Sequence, residues 1–232
     1  MTSSLTTIPY LKKHGFEHFE PKAVLFDMDG VLVDSNAMHR NSWIAVARRH
    51  GLPVRRAEEI GCCGLTTRDV VKALLRWTED DAEADRLGEE KERCYRAEIA
   101  RGGIPAIPGV TDYVKRAAAA GYACAVGTSA PRENLETCLA VLGLARCFRS
   151  CVSSGGGRRG KPAPDIYLAA AAAIGEAPEN CIVFEDAANG IAAAKAAGMR
   201  AVGILSAATK EGLAQADAWF DDFRSMPLPP LP

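Results

Sequence analysis

Four short apolar runs, at residues 22–26 (KAVLF), 122–126, 181–184 and 201–205, alternate along the chain with alanine-rich stretches of helical period at 110–120, 133–142, 165–174 and 187–197. The last three stretches are closed by Gly143, Gly175 and Gly198, as glycine readily takes the backbone conformation that ends a helix. Unbroken apolar runs of this length suit strands buried on both faces, and strands that alternate with single helices build parallel βαβ units. The expected fold class is therefore α/β, a doubly wound, Rossmann-like parallel sheet with helices on both faces, the alanine runs being helix surfaces packed close on the sheet.

One interval breaks this rhythm. From Asp27, at the end of the first strand, to Tyr122, at the start of the next, lie about 95 residues, far more than one crossover helix needs. Helical patterns at 39–50, 67–77 and 82–100 fill it, and it closes at the turn Gly102-Gly103-Ile104-Pro105. An all-helical domain inserted over residues 36–104 is expected, with the α/β core formed by 21–35 and 105–226, an extension at 1–20 and a proline-rich loose tail at 227–232 (MPLPPLP from Met226). Ligands of open α/β sheets bind beyond the carboxyl ends of the strands, so a lobe inserted after the first strand would roof the site as a cap. The extension is expected to form a short helix on the core.

Lys plus Arg (28) nearly balances Asp plus Glu (29), which leaves no global basic field for nucleic acid or an anionic membrane. The first twenty residues lack the apolar stretch of a signal peptide, and no window suits a membrane span. The expectation is a cytoplasmic monomer with reduced thiols, Cys124 and Cys181 lying inside buried strands. The pairs Cys62/Cys63 and Cys147/Cys151 lack partners at zinc spacing, and His14 and His18 read as a solvated helix face.

The chemistry concentrates in DMDGVLVDS, residues 27–35. Side chains two apart in extended backbone point the same way, so Asp27 and Asp29 project together, and Gly30 permits a sharp exit. A calcium loop counted from Asp27 would need glycine at Leu32 and a bidentate glutamate at Met38, and has neither. Further polar residues follow later strands: Thr128 and Ser129, Lys161 in GKPAPD, and Glu185 with Asp186. Each alone suits a helix cap or a solvated surface. Placed after successive strands of one sheet they meet at one edge, where a hydroxyl and an ammonium can hold phosphoryl oxygens. Four carboxylates would repel a phosphate dianion, which implies a divalent cation, and hard oxygen ligands favour Mg²⁺.

These four motifs, Asp27-x-Asp29-Gly30, Thr128, Lys161 and Glu185-Asp186, resemble those of the haloacid dehalogenase-like hydrolase superfamily, in its branch of β-phosphoglucomutases and small-molecule phosphatases with a helical cap. The resemblance spans residues from about 22 to 223. It implies that Asp27 is the nucleophile that forms an aspartyl phosphate, and that Asp29 is the acid and base. It also implies that Asp27, Asp186 and the Asp29 backbone carbonyl hold Mg²⁺, with Glu185 assisting. Neighbouring carboxylates are expected to keep a proton on Asp29 near neutrality. Family dehalogenases usually lack the second aspartate, so Asp29 argues for phosphate chemistry.

The expected activity is Mg²⁺-dependent hydrolysis of a small phosphorylated metabolite, a phosphomonoester or pyrophosphate. The alternative is a sugar-phosphate mutase of the β-phosphoglucomutase type, which the chain resembles at His39 and Arg68, both expected at the substrate. Against it, the cap lysine of that mutase is replaced by Gly64 and its serine after the acidic pair by Ala187. A receiver-like phosphoacceptor module shares the acidic, hydroxyl and lysine groups, but places its phosphorylated aspartate on a later strand and lacks a cap.

Overall fold

The computed structural model describes residues 19, 21–58, 60 and 65–228. Six strands, β1 (Ala23–Phe26), β2 (Ala123–Gly127), β3 (Ser150–Val152), β4 (Cys181–Glu185), β5 (Arg200–Ile204) and β6 (Ala218–Phe220), form one sheet in the order β3-β2-β1-β4-β5-β6. Every pairing is parallel. β1 is central, and the chain winds outward from it first to one side and then to the other, which puts the switch point of the sheet at the carboxyl end of β1.

Side chains alternate across a strand, and β1 shows why its run is apolar throughout. Val24 and Phe26 enter a core with Tyr113, Val114, Leu135 and Leu139 from α5 (Val110–Ala119) and α6 (Arg132–Leu142), helices that follow the inserted lobe. Ala23 and Leu25 enter the opposite core with Tyr167, Ala170, Ile191 and Ala194 of α7 (Asp165–Ile174) and α8 (Ala188–Ala196). The alanines of α7 and α8 that face the sheet are buried, as the sequence pattern predicts.

The lobe between β1 and α5 is built from α1 (Asn36–His50), α2 (Val54–Glu58), α3 (Thr67–Asp69), a π-helical segment (Val70–Leu75) and α4 (Asp81–Gly102). Trp43, Val46, Val70, Val71, Leu75, Ala84 and Leu87 make a core of its own. Met38, Tyr95 and Ile99 instead join the main core beside Phe26, so the base of the lobe is continuous with the sheet packing.

Four features depart from the sequence reading. The helix expected over 67–77 ends at Leu75, because Arg76 takes a left-handed conformation (φ 53°) and its N–H bonds to the Val71 carbonyl. Strands β3 and β6 carry three residues each at the sheet edges, too short to show a periodicity. The short α2 buries Ala57 but leaves Arg55 and Arg56 exposed, and gives no apolar stripe. Met226 is buried and Leu228 packs on the core, so the tail is anchored where it leaves the sheet. Of the extension, Phe19 packs against the same core, while His14 and His18 lie outside the described residues, as do Cys62, Cys63 and Gly64. The six described cysteines are unpaired, and among the described residues no helix is long and apolar enough to cross a membrane.

Phe26 is the hinge of the larger core. Its ring meets those of Phe184 (5.3 Å), Phe148 (5.8 Å), Tyr113 (6.3 Å) and Phe223 (6.3 Å). Phe26→Ala is expected to cost about 3–5 kcal/mol through lost burial and the cavity left behind, read as a lower urea midpoint at an unchanged slope.

Candidate active site

Phe26 pairs with Val126 on one side and with Phe184 on the other, so Asp27, Thr128 and Glu185 leave their strands within two residues of one level. Two glycines let the following turns close over one another. Gly30 has φ +74°, and a Cβ there would lie 1.9 Å from Asp186 Oδ2; a Cβ on Gly190 would lie 1.8 Å from Glu185 Oε1. Both approaches leave room for no side chain.

The acidic groups meet in the space so formed. Asp27, Glu185 and Asp186 are buried, and each offers a carboxylate oxygen within 4.8 Å of the others. Lys161, itself buried, donates to Asp27 Oδ1 at 2.9 Å and to Glu185 Oε1. Glu185 is fully engaged: Oε1 also accepts from the Tyr167 hydroxyl at 2.6 Å, and Oε2 accepts from the backbone N–H of Asp186 and Ala187. One ammonium therefore faces three buried carboxylates. Burial pushes Asp27 up to about 7 against the pull of Lys161, with Glu185 and Asp29 adding to the rise. Burial and the charges of Glu185, Asp27 and Asp29 push Asp186 well above the usual carboxylate range. Burial would lower Lys161, but Asp27 and Glu185 raise it well above its ordinary value. A buried cluster of hard oxygen donors so short of positive charge fits a divalent cation of the Mg²⁺ kind.

Asp29 is not part of that cluster. Its Oδ1 accepts from Ser35 Oγ at 2.7 Å and contacts His39 Nε2 at 3.0 Å. His39 stacks on Tyr95 with ring centroids 4.3 Å apart, and its Nδ1 lies 2.6 Å from Lys91 Nζ. A lysine ammonium only donates, so Nδ1 accepts and Nε2–H donates to Asp29. Lys91 also donates to Glu92 at 2.9 Å, Glu92 accepts from Asn134 of α6, and Arg96 donates to Asn134 Oδ1 at 2.8 Å. Although burial alone would raise it, the Asp29 carboxyl is held below its ordinary value by His39 and Ser35. This corrects the expectation that neighbouring carboxylates keep it protonated: its nearest partners are donors from α1 and the loop before it.

A cavity of about 580 Å³ opens between the strand ends and the lobe, lined by Asp27, Asp29, Thr128, Ser129 and Lys161 below and by His39, Trp43, Thr66, Arg68 and Lys91 above. Thr128 is buried and its Oγ1 accepts from the N–H of Ala130, so the hydroxyl shapes its own loop as well as facing the cavity. Arg68 reaches the cavity wall, but its guanidinium is clamped by Asp85, with Nε donating at 2.7 Å and a second nitrogen to the other oxygen. Asp186 is not among the residues lining this cavity, but one of its carboxylate oxygens lies within 4.8 Å of one from Asp27.

The family model for the haloacid dehalogenase-like hydrolases matches residues 21–198. The chain belongs to the haloacid dehalogenase-like hydrolase family. It is 34% identical over 183 residues to the fructose-1-phosphate phosphatase YqaB of Escherichia coli, covering 78% of this chain and 95% of that one. It is 30% identical over 194 residues to the beta-phosphoglucomutase of Bacillus subtilis, covering 79% and 83%. Among solved structures, a family IA, variant 3 hydrolase from Entamoeba histolytica superposes with a TM-score of 0.80 at 28% identity, covering 89% of this chain and 96% of that one.

Within this hydrolase fold the sequence reading misses Lys91, Glu92, Asn134, Tyr167 and Asp85. Lys91 and Glu92 stand in the run EEKERC, which reads as a solvated helix face, yet both are buried. Only a partner on another element distinguishes such a face from a wet one. Tyr167 reads simply as part of the apolar face of its helix.

The balance around Lys161 sets a stability test. Lys161→Met would leave buried carboxylates without their one cationic partner, at an expected cost of about 3–5 kcal/mol. Urea unfolding in chelator should show it, and a loss below 1 kcal/mol would mean that solvent or protonation of the carboxylates compensates the cluster.

Proposed function

We propose that the protein is a Mg²⁺-dependent phosphatase of small phosphorylated metabolites, sugar or polyol phosphates above all, working through an aspartyl phosphate on Asp27. The single observation that carries this reading is the convergence of Asp27, Asp29, Thr128, Lys161 and the Asp186 carboxylate at one strand edge beneath a helical lobe. The names of relatives such as the fructose-1-phosphate phosphatase support the substrate class.

Asp27, Asp186 and the Asp29 backbone carbonyl would hold the cation, while Glu185, whose oxygens already accept hydrogen bonds, fixes Lys161 and the turn into α8. When bound, the cation would neutralise carboxylate charge and draw electron density from the phosphoryl oxygens. Asp27 attacks phosphorus and the bond to the leaving oxygen breaks. Lys161, Thr128 and Ser129 take phosphoryl oxygens. The two donors to Asp29 both fall on Oδ1, so Oδ2 takes up a proton from solvent as the anionic substrate binds and gives it to the leaving oxygen. A phosphate dianion brought beside it raises its affinity for that proton. In the second half, ionised Asp29 takes a proton from water as the water oxygen attacks the aspartyl phosphate, releasing phosphate and restoring Asp27. The helical lobe over 36–104 acts as the cap, and His39 from it positions Asp29 while the mouth excludes bulk water.

A mutase would have to hold its phosphorylated intermediate against water and grip a second anionic group. Arg68, the cap cation expected for that grip, is already bound to Asp85, which favours the hydrolase.

Asp27→Asn is expected to abolish phosphate release from a panel of sugar phosphates supplied with Mg²⁺, with the circular dichroism spectrum unchanged; retained turnover would overturn the nucleophile assignment. In a thermal shift assay Mg²⁺ is expected to raise the melting temperature of the unmodified protein, with a stabilisation that grows as the logarithm of one plus the ratio of Mg²⁺ concentration to Kd. Asp186→Asn should melt higher than the unmodified protein in chelator, because one of the mutually repelling carboxylates is gone, and should respond little to Mg²⁺.

A further inference from the structure

The cavity wall contributed by the lobe carries two cations, Arg68 and Lys91, and three carboxylates, Asp69, Asp85 and Glu92. Neither cation is free of a carboxylate partner. Lys91 is bound to Glu92 and committed to His39. Arg68 presents both edges of its fork to Asp85, and a further nitrogen lies 3.8 Å from Asp81. A bidentate contact uses the donors with which a guanidinium would grip a phosphate. The lobe side of the cavity thus has an excess of negative charge, and the remaining chemistry there is the Trp43 ring and the hydroxyls of Thr66 and Thr67. Below, Lys161 is the cation that faces the carboxylates, enough with one divalent ion for a single phosphoryl group.

We propose, on the phosphatase reading, that Asp85 is a specificity-determining residue: by occupying Arg68 it restricts the enzyme to monophosphates whose distal part is an uncharged, hydroxyl-bearing chain or ring, and turns away bisphosphates. Carboxylates and threonine hydroxyls accept hydrogen bonds from substrate hydroxyls, and the indole face covers C–H groups, whereas a second phosphate meets the excess of carboxylates at short range. Specificity can be built by setting like charge against the unwanted ligand as well as by attracting the wanted one. The Arg68–Asp85 pair is half exposed, so its removal disturbs the fold little and changes chiefly what Arg68 offers the cavity.

The test compares fructose 1-phosphate with fructose 1,6-bisphosphate, in which a second phosphate replaces the 6-hydroxyl, with fructose 6-phosphate as the matching monophosphate where the 6-phosphate reacts, by kcat/KM in saturating Mg²⁺. The unmodified protein is expected to prefer the monophosphate by about tenfold or more. Asp85→Asn, which frees Arg68 and removes a carboxylate, should shrink that preference about fivefold or more, mainly through a lower KM for the bisphosphate. Adding Arg68→Ala to Asp85→Asn should remove most of the gain; a gain that survives intact would assign the effect to the lost carboxylate alone and overturn the clamp. An unmodified enzyme that takes both substrates equally, or an Asp85→Asn variant with an unaltered preference, would overturn the proposal while leaving the phosphatase reading in place. Release of phosphate from neither sugar ester, nor from any other in the panel, would overturn the phosphatase reading and the specificity proposal with it.

Discussion

Three carboxylates buried at the edge of a parallel sheet, held by one lysine, set the terms for the rest of this molecule. Burying like charges is costly unless something compensates them, and here the compensation comes from far apart in the chain: Lys161 is 134 residues from Asp27 and 24 from Glu185. The apolar sheet beneath supplies the rigidity that keeps the groups close. Phe26 and Phe184, one residue before Asp27 and Glu185, stack at 5.3 Å in the core, so the backbone that carries each carboxylate is anchored by a packed ring one residue earlier. Gly30 and Gly190 then allow the turns above to approach where any side chain would intrude. Packing strength in the core is thereby converted into charge density at the rim.

The second constraint runs the other way, from the lobe to the sheet. Asp29 is held by Ser35 and His39, His39 by Lys91, and Lys91 through Glu92 by Asn134 on a core helix. The chain of contacts leaves the core, crosses the lobe and returns. Its members are buried, and Lys91 lies 5.3 Å from the centroids of both Trp43 and Tyr95, so it works as a rigid support rather than a solvated surface network. The two aspartates of the DMD motif, only two residues apart, thus acquire different surroundings: Asp27 is set by the sheet and its lysine, and Asp29 by the lobe.

Much of this is legible in the residues and part of it is not. The central strands announce themselves because both faces of the sheet are covered, which makes residues 23–26 and 181–184 apolar without interruption. The motif residues Asp27, Thr128, Lys161 and Glu185 are visible because each directly follows a strand or sits in a marked turn. The edge strands Ser150–Val152 and Ala218–Phe220 carry too few residues to display a period. The ionic partners within the lobe are hidden for a different reason: a lysine beside glutamates on a helix has the same sequence whether water or His39 faces it. Arg68 was legible as a residue of the cavity, but not its capture by Asp85, seventeen positions on, which depends on how α3 lies against α4.

The sharing of Met38, Tyr95 and Ile99 between the lobe and the main core bears on modularity. The insertion looks in outline like a transferable part, entering after one strand and leaving before the next helix. Yet two of its helices have their roots in the apolar interior beside Val31, Leu32 and Leu135. A chimaera that exchanged only the upper helices, keeping these three anchors with the recipient sheet, would preserve the interior. One cut at the outline would open a hole in the recipient and strip the donor of its footing. The natural unit of exchange in this architecture is therefore the crown of the lobe, from about α2 to the first half of α4, and variation in substrate preference among related chains can accumulate there without renegotiating the core.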